Sequence, residues 1–203
     1  MTMTIFGIPY IALGFYYWTM SVTPGPNNVM LTLSGVNFGF GRTMPHILGI
    51  AIGCAIQTFL LCLGLGFIFH EFPTAQHLLK WAGAAYLIYL ALKLIGAKLA
   101  SGLSAPPQPL SLFDAATFQF INPKAWVKAT TTATIFMPEG TPILASGAAI
   151  FSVCSAVNIA SSSLWAGFGV GIRKLLSNPT TLRIFNLTMA ALLIGTAAYV
   201  VLS

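Results

Sequence analysis

The chain consists largely of long apolar runs separated by short polar or proline-containing segments. Six of the runs are long enough for a membrane-spanning helix, which needs about 20 mainly apolar residues. Their expected limits are residues 5–23, 45–69, 78–97, 118–137, 142–172 and 183–202. The runs are continuously apolar, whereas the strands of a membrane β-barrel alternate apolar and polar residues. The pattern therefore predicts an all-α polytopic membrane protein with about six spans.

A polar connection containing Pro106, Pro107 and Pro109 separates the third run from the fourth. We expect a single transmembrane domain made of a first three-helix half (residues 1–100), a connecting loop (101–117) and a second three-helix half (118–203). Because three crossings reverse the direction of the chain, the halves would have opposite orientations, as in transporters built from inverted repeats. The sequence thus predicts a 3+3 inverted repeat.

Charged residues make up only 6% of the chain, whereas about 25% is usual in soluble domains. The net charge of +6 comes from scattered basic residues, with no run that would bind nucleic acid. Cytoplasmic loops of membrane proteins are enriched in Lys and Arg. This rule favours N- and C-termini outside, since the inner connections then collect Arg42, Lys93, Lys98, Arg173, Lys174 and Arg183.

Residues that could form an enzymatic or metal centre are few and dispersed. The three cysteines lie inside apolar runs and lack metal-ligand spacing, as do His46, His70 and His77. The acids Glu71, Asp114 and Glu139 lie far apart in different connections. We therefore expect no enzyme, no metal and no cofactor.

The segment Thr23-Pro24-Gly25-Pro26-Asn27-Asn28 follows the first run directly. Its two prolines remove backbone donors, which leaves carbonyl groups without partners. Within a membrane such groups are tolerated only where they face protein or a water-filled cavity. Two interpretations remain open: a broken helix whose carbonyls and amides bind a solute, or an ordinary turn at the membrane interface.

A second polar segment is Asn122-Pro123-Lys124, at the start of the fourth run. Proline suits the first helical turn, and Asn122 suits the N-cap before it. Lys124 would then lie beside a helix N-terminus, and Lys128 would follow one turn later on the same face. The lysines could snorkel to the interface, or they could attract a carboxylate at the inner mouth of a pathway.

Polar and small residues also occur deep inside the predicted spans. Gln57 lies near the middle of the second span, and Asn158 precedes three serines in the fifth. An asparagine or glutamine at such depth needs a partner or water. Glycines that would allow close helix packing are Gly35, Gly39, Gly49, Gly53, Gly167, Gly169 and Gly171.

With these motifs the chain resembles the lysine exporter/homoserine–threonine resistance (LysE/RhtB) family of bacterial inner-membrane amino-acid exporters. The resemblance rests on residues 23–28 running into Ser34-Gly35-Val36-Asn37-Phe38-Gly39, on residues 42–50, and on Asn122-Pro123-Lys124-Ala125. It is greatest for the cysteine/O-acetylserine and neutral amino-acid branch. The resemblance implies efflux coupled to the proton gradient. Asp114 stands where the family often has a small residue, and it is the nearest candidate proton carrier.

We therefore expect an exporter of small amino acids or their derivatives in the bacterial inner membrane, acting as an antiporter. Its partners would be the amino-acid substrate and the lipid bilayer, without nucleic acid; a homo-oligomer is left open. The alternatives are a passive small-solute channel and a non-transporting membrane scaffold. The substrate's carboxylate is expected near Lys124 or a backbone nest, and its ammonium near the carbonyls of the Pro-Gly-Pro break. The expected substrate-binding residues are Pro24, Gly25, Pro26, Asn27, Asn28, Gln57, Asn122, Pro123, Lys124 and Asn158, with Asp114 for proton coupling.

Overall fold

The computed structural model of the chain describes residues 4–5, 7–65, 73–95, 108–138 and 140–202. Several features named above lie outside this part of the chain. They are His70, Glu71, Lys98, Glu139 and the first seven residues of the predicted connection, 101–107.

The described chain is almost entirely helical, which confirms the predicted all-α class. A minimal antiparallel hairpin, β1 (Thr4–Ile5) and β2 (Ile8–Pro9), precedes the first helix. The eight α-helices of the described residues are α1 (Tyr10–Val22), α2 (Pro26–Phe38), α3 (Phe40–Leu60), α4 (Pro73–Ile95), α5 (Leu112–Phe118), α6 (Pro123–Phe136), α7 (Ile143–Ile172) and α8 (Pro179–Leu202). A π-helical turn, Leu61–Leu65, extends α3, and a 3₁₀ turn, Leu175–Ser177, precedes α8.

Several helices begin four or five residues away from the sequence-based expectation: α1 at Tyr10 instead of residue 5, α4 at Pro73 instead of 78, α6 at Pro123 instead of 118 and α8 at Pro179 instead of 183. Helix α3 begins at Phe40 and contains Pro45, which had been expected to start the span. Near a helix start, a proline removes one hydrogen bond without necessarily ending the helix. The predicted connection 101–117 also contains most of a short helix, α5. Ser111 and Asp114 form a capping box at its start, which explains why a helix begins there.

Three helices of the described residues are long and apolar enough to cross a membrane: Phe40–Gly64, Ile143–Ile172 and Pro179–Leu202. Helices α1 and α2 have 13 residues each, and α6 has 14. At 1.5 Å per residue, each is about 20 Å long, which is shorter than the hydrocarbon core of about 30 Å. Helices α1 and α2 follow each other along the chain, and so do α5 and α6. A few non-helical residues separate the two helices of each pair, and we call α1–α2 and α5–α6 the broken pairs.

The pair α1–α2 packs along the unbroken helix α7. Leu13 and Tyr17 of α1 lie in one buried cluster with Ile150 and Cys154, in the first half of α7. Further along the chain, α2 contacts the second half of α7 so closely that a Cβ atom on Gly35 would overlap the carbonyl group of Ala166. Together, α1 and α2 therefore follow most of the length of α7.

The pair α5–α6 packs along α3 in a corresponding way. A Cβ atom on Gly49 would overlap the carbonyl group of Leu112, and one on Gly53 would overlap Ala116. Helix α6 then contacts the π-helical turn that extends α3. The long helices α3 and α7 pack on each other, and so do α4 and α8. Each broken pair thus lies on the long helix of the other half, which brings the two breaks together.

Candidate functional site

The first break separates α1 from α2 at Thr23, Pro24 and Gly25. Helix α1 ends at Val22 and α2 begins at Pro26, as the Pro-Gly-Pro segment predicts. The backbone at Gly25 is fully extended, with φ 179° and ψ 179°. The last carbonyl groups of α1 lack partners within the helix, and side chains bind them instead. Asn28 Nδ2 donates to the carbonyl oxygens of Ser21 at 2.9 Å and Thr23 at 2.7 Å. Trp165 Nε1 donates to that of Val22 at 3.2 Å.

The second break, residues 119–122, separates α5 from α6. Helix α6 begins at Pro123, and the Asn122 side chain accepts a hydrogen bond of 3.2 Å from the Lys124 N–H. The predicted N-cap is therefore confirmed. The helix that follows each break begins with a proline. Proline is well tolerated there, because the N–H of the first helical residue would have no hydrogen-bond partner within the helix.

Asn27 and Gln119 join the two breaks through their side-chain amides. Asn27 Nδ2 donates to Gln119 Oε1 at 2.9 Å, and Gln119 Nε2 donates to Asn27 Oδ1 at 3.2 Å. Gln119 is fully buried, and Asn122 Nδ2 also donates to its Oε1 at 3.2 Å. The polar groups at the two breaks therefore form one network.

The ammonium group of Lys124 lies among three oxygen atoms at the end of α1. Its Nζ donates to the carbonyl oxygen of Thr23 at 2.6 Å, to Thr23 Oγ1 at 2.8 Å and to the carbonyl oxygen of Pro24 at 3.1 Å. The lysine has three donors, so these contacts can use all of them. A helix C-terminus also favours a cation. The side chain passes so close to Gly25 that a Cβ atom there would lie 3.0 Å from Lys124 Cδ.

Lys128 places a second cation beside the first break, deeper in the protein. It is only 5% exposed, and its Nζ donates to Ser21 Oγ at 3.1 Å and Asn158 Oδ1 at 3.0 Å. The Nζ also lies 4.2 Å from the centre of the Tyr17 ring. Among the described residues the only acid is Asp114, which is exposed and bound to Ser111. The hydrogen-bond and ring partners of Lys128 are therefore all neutral, and ionisable groups within membrane segments commonly mark functional sites.

A cavity lies between the two breaks and α7. Seven of the predicted substrate-binding residues line it: Gly25, Pro26, Asn27, Asn28, Asn122, Lys124 and Asn158. Asn158 is buried, and its Nδ2 has no hydrogen-bond partner among the described residues. The cavity measures about 20 Å³ on a scale on which one water molecule needs about 10–15 Å³. The two breaks therefore meet around a small polar centre with room for one or two water molecules.

The remaining predicted site residues lie around this cavity or away from it. Pro24 contributes its carbonyl to Lys124, and Pro123 packs near Gly83 of α4. Gln57 is buried behind the second break, where its Nε2 donates to the carbonyl oxygen of Gln119 at 3.4 Å. Asp114 lies at the exposed start of α5 and does not line the cavity.

The structure adds lining residues that the sequence did not assign to the site. They are Met20, Ser21, Ile50, Cys54, Ala125, Lys128, Ser161 and Ser162. Lys128 and the two α7 serines could be anticipated, because they stand near Lys124 and Asn158 on polar helix faces. Ser21 and Cys54 gave no such signal, because small residues inside apolar runs usually serve packing.

The chain is similar in sequence to a known family and to several known proteins. The family model for the LysE type translocator matches residues 18–203. The chain is 30% identical over 190 residues to cysteine/O-acetylserine efflux proteins of Escherichia coli (strain K12) and Shigella flexneri, covering 92% of this chain and 95% of each relative. The protein of the same name from E. coli O1:K1 / APEC is 29% identical over the same length. No solved structure matches the chain significantly.

Proposed function

The chain belongs to the LysE type translocator family of amino-acid efflux transporters, and we propose that it exports small zwitterionic amino acids or their derivatives from the cytoplasm. The observation that carries the proposal is the meeting of two broken helices around a small polar cavity. Broken helices of this kind form the substrate sites of many secondary transporters.

The charge distribution around the cavity suits a zwitterion. The N-termini of α2 and α6 and the ammonium group of Lys128 favour a carboxylate. The carbonyl oxygens of Thr23 and Pro24 at the end of α1, which already bind the Lys124 ammonium group, favour an ammonium group. Among the described residues no acid lines the cavity, so a cationic side chain would find no counter-ion. The names of the relatives, cysteine/O-acetylserine efflux protein, support small neutral substrates.

Alternating access would follow from the packing of the two halves. We propose that each broken pair crosses the membrane once, which with α3, α4, α7 and α8 makes six crossings. Each pair packs on the long helix of the other half, and this reciprocal arrangement supports the inverted repeat. The distribution of Lys and Arg supports N- and C-termini outside. The breaks then lie near the membrane centre, and rocking of one half against the other would open the cavity to either side.

Coupling to the proton gradient is part of the proposal, with Asp114 as the proton carrier. Its carboxylate accepts hydrogen bonds from the Ser111 N–H at 3.4 Å and from Ser111 Oγ at 2.6 Å. Protonation would weaken this capping box and loosen α5. Helix α5 leads directly to Gln119, which holds Asn27 across the breaks. The proton would thus act on the cavity through α5 rather than from within it.

A counterflow screen with purified protein tests the proposed function. Proteoliposomes loaded with L-cysteine, O-acetyl-L-serine, L-serine, L-lysine or L-glutamate are diluted into trace amounts of the same labelled compound. We expect saturable counterflow of the small neutral compounds and none of lysine. If no labelled compound accumulates, the proposal is contradicted in favour of a non-transporting scaffold. If the flux never saturates, it is contradicted in favour of a passive channel.

Two variants locate the flux at the cavity. Asn27→Ala removes an amide that lines it, and we expect loss of counterflow with an unchanged yield of folded protein. Asn37→Ala is the matched control, because Asn37 is exposed on the same helix and does not line the cavity. Equal counterflow in both variants would remove the site assignment.

A further inference from the structure

Lys124 forms a wall between two cavities. On one side lies the small central cavity. On the other side lies a larger cavity of about 380 Å³, bounded by the end of α1, by α6 and by α8. Thr23, Val127, Leu192 and Tyr199 contribute to its lining, and the larger cavity is wide enough for a small amino acid. We call it the vestibule.

The ammonium group of Lys124 occupies the place that suits a substrate's ammonium group. The acceptors at this place are the carbonyl oxygens of Thr23 and Pro24 and the hydroxyl oxygen of Thr23. An α-ammonium group, like that of lysine, has three N–H donors. The two cations cannot occupy this set of acceptors at the same time.

We propose that Lys124 is a tethered stand-in for the substrate's ammonium group, displaced when substrate binds. The inference rests on the proposed function and deepens it. In this structure the lysine donates to the carbonyl oxygens of Thr23 and Pro24, the former shared with Asn28, and separates the central cavity from the vestibule. An incoming amino acid supplies a replacement ammonium group, which releases Lys124 and opens the wall.

The substrate's carboxylate then binds at Lys128. This group and the unpartnered Nδ2 of Asn158 both face the central cavity, and both can donate hydrogen bonds to a carboxylate. The two subsites are close together, because Ser21, which contacts Lys128, precedes Thr23 by two residues. Lys124 and Lys128 are also neighbours, since residues four apart on a helix have Cβ atoms about 5–6 Å apart. A single amino acid can therefore reach both subsites.

The proposal separates the roles of the two lysines. Lys128 attracts the carboxylate, whereas Lys124 competes with the ammonium group. Removal of Lys124 should therefore raise the binding affinity only of ligands that have an ammonium group. Removal of Lys128 should lower the binding affinity of every ligand that has a carboxylate. If Lys124 instead bound the carboxylate, its removal would weaken the binding of all these ligands alike.

Binding of two matched ligands tests this difference. The ligands are L-cysteine and 3-mercaptopropionate, which is the same molecule without the amino group. Dissociation constants are measured by calorimetry under reducing conditions for purified wild-type protein and for Lys124→Met and Lys128→Met. We expect Lys124→Met to bind cysteine roughly tenfold more tightly, as the loss of a competing charged hydrogen-bond donor implies. Binding of 3-mercaptopropionate should not change.

Lys128→Met should weaken both ligands by a similar factor, which identifies the carboxylate subsite. Weaker binding of both ligands to Lys124→Met would overturn the inference and leave the exporter function standing. Absence of binding to every form, together with absence of counterflow, would overturn the proposed function and this inference with it. Lys124→Gln serves as a second variant if Lys124→Met folds poorly, because its amide can still donate to the Thr23 carbonyl. It should shift cysteine binding in the same direction by a smaller factor.

Discussion

The side chains of Asn27 and Gln119 donate hydrogen bonds to each other across two helix breaks that lie 92 residues apart in the chain. Each side-chain amide supplies one donor and one acceptor, so the two neutral side chains satisfy part of each other's hydrogen-bonding capacity. We expect the interaction to hold the two halves of the protein together at the cavity.

A double-mutant cycle of Asn27→Ala and Gln119→Ala measures this coupling. Each single change leaves a buried amide partly unsatisfied, which costs about 1–3 kcal/mol. The double change removes both groups, so the effects should be non-additive by about 1 kcal/mol. The measurement is reversible unfolding in detergent micelles. Strict additivity would show that the pair contributes no specific coupling.

Lys128→Met should raise stability while it abolishes transport. The lysine is buried with only neutral partners, and an uncompensated buried charge costs several kcal/mol. A methionine of similar length fills the space without that cost, so we expect a higher melting temperature. Counterflow should be lost because the carboxylate subsite is lost. A lower melting temperature with normal counterflow would show that Lys128 serves the fold instead.

Two glycines of α7 form a matched test of helix packing. A Cβ atom on Gly169 would overlap the backbone of Thr32 in α2, whereas one on Gly167 would meet no atom within 4 Å. Gly169→Ala should therefore destabilise the protein by about 1–3 kcal/mol, as overpacking typically does. Gly167→Ala should have little effect or stabilise α7 slightly, since alanine favours helix. Equal melting temperatures for the two variants would contradict the close contact of α2 with α7.

The role of Asp114 is tested by a second matched pair. Ser111→Ala and Asp114→Asn each weaken the capping box of α5, but only the latter removes the carboxylate. Each should cost about 1 kcal/mol or less of stability. If Asp114 carries the proton, Asp114→Asn loses the response of efflux to an imposed pH gradient, whereas Ser111→Ala keeps the carboxylate and its bond from the Ser111 N–H and retains part of the response. Identical responses in both variants would assign Asp114 a capping role only.

Local structure could largely be predicted from the sequence, because it depends on neighbouring residues. The long apolar runs identify helices, Pro24-Gly25-Pro26 identifies a break, and Asn122 identifies an N-cap. Helix α5 was missed although its capping signal, Ser111 and Asp114, is visible in the sequence. Its seven residues are too few to show an apolar period.

Contacts between distant segments could not be predicted in the same way. Asn27, Lys124 and Asn158 were recognised as polar residues in unusual places, but their partners are 92, 101 and 137 residues away. One consequence is that the bonds of Lys124 to the carbonyl groups of Thr23 and Pro24 were not anticipated. The glycines illustrate the same point. Gly35 and Gly169 lie at close helix contacts, whereas Gly39 and Gly167 meet nothing, although all four occur in similar patterns.

Cys54 offers a direct probe of the central claim, that substrate binds in the cavity between the two breaks. It is buried and lines that cavity, and its Sγ lies 3.5 Å from Gln119 Oε1. Cys62 and Cys154 belong to a different buried cluster. A variant with Cys62→Ala and Cys154→Ala therefore carries a single thiol at the proposed site.

The decisive measurement is the rate at which methyl methanethiosulfonate labels Cys54 in this variant, with and without O-acetyl-L-serine. The ligand has no thiol, so it does not consume the reagent. A second variant that retains only Cys62 is the control, and O-acetyl-L-serine should not change its labelling. We predict that the compound slows labelling of Cys54 several-fold, with half protection at the concentration that gives half-maximal counterflow. Saturable counterflow with an unchanged rate of Cys54 labelling would contradict the account.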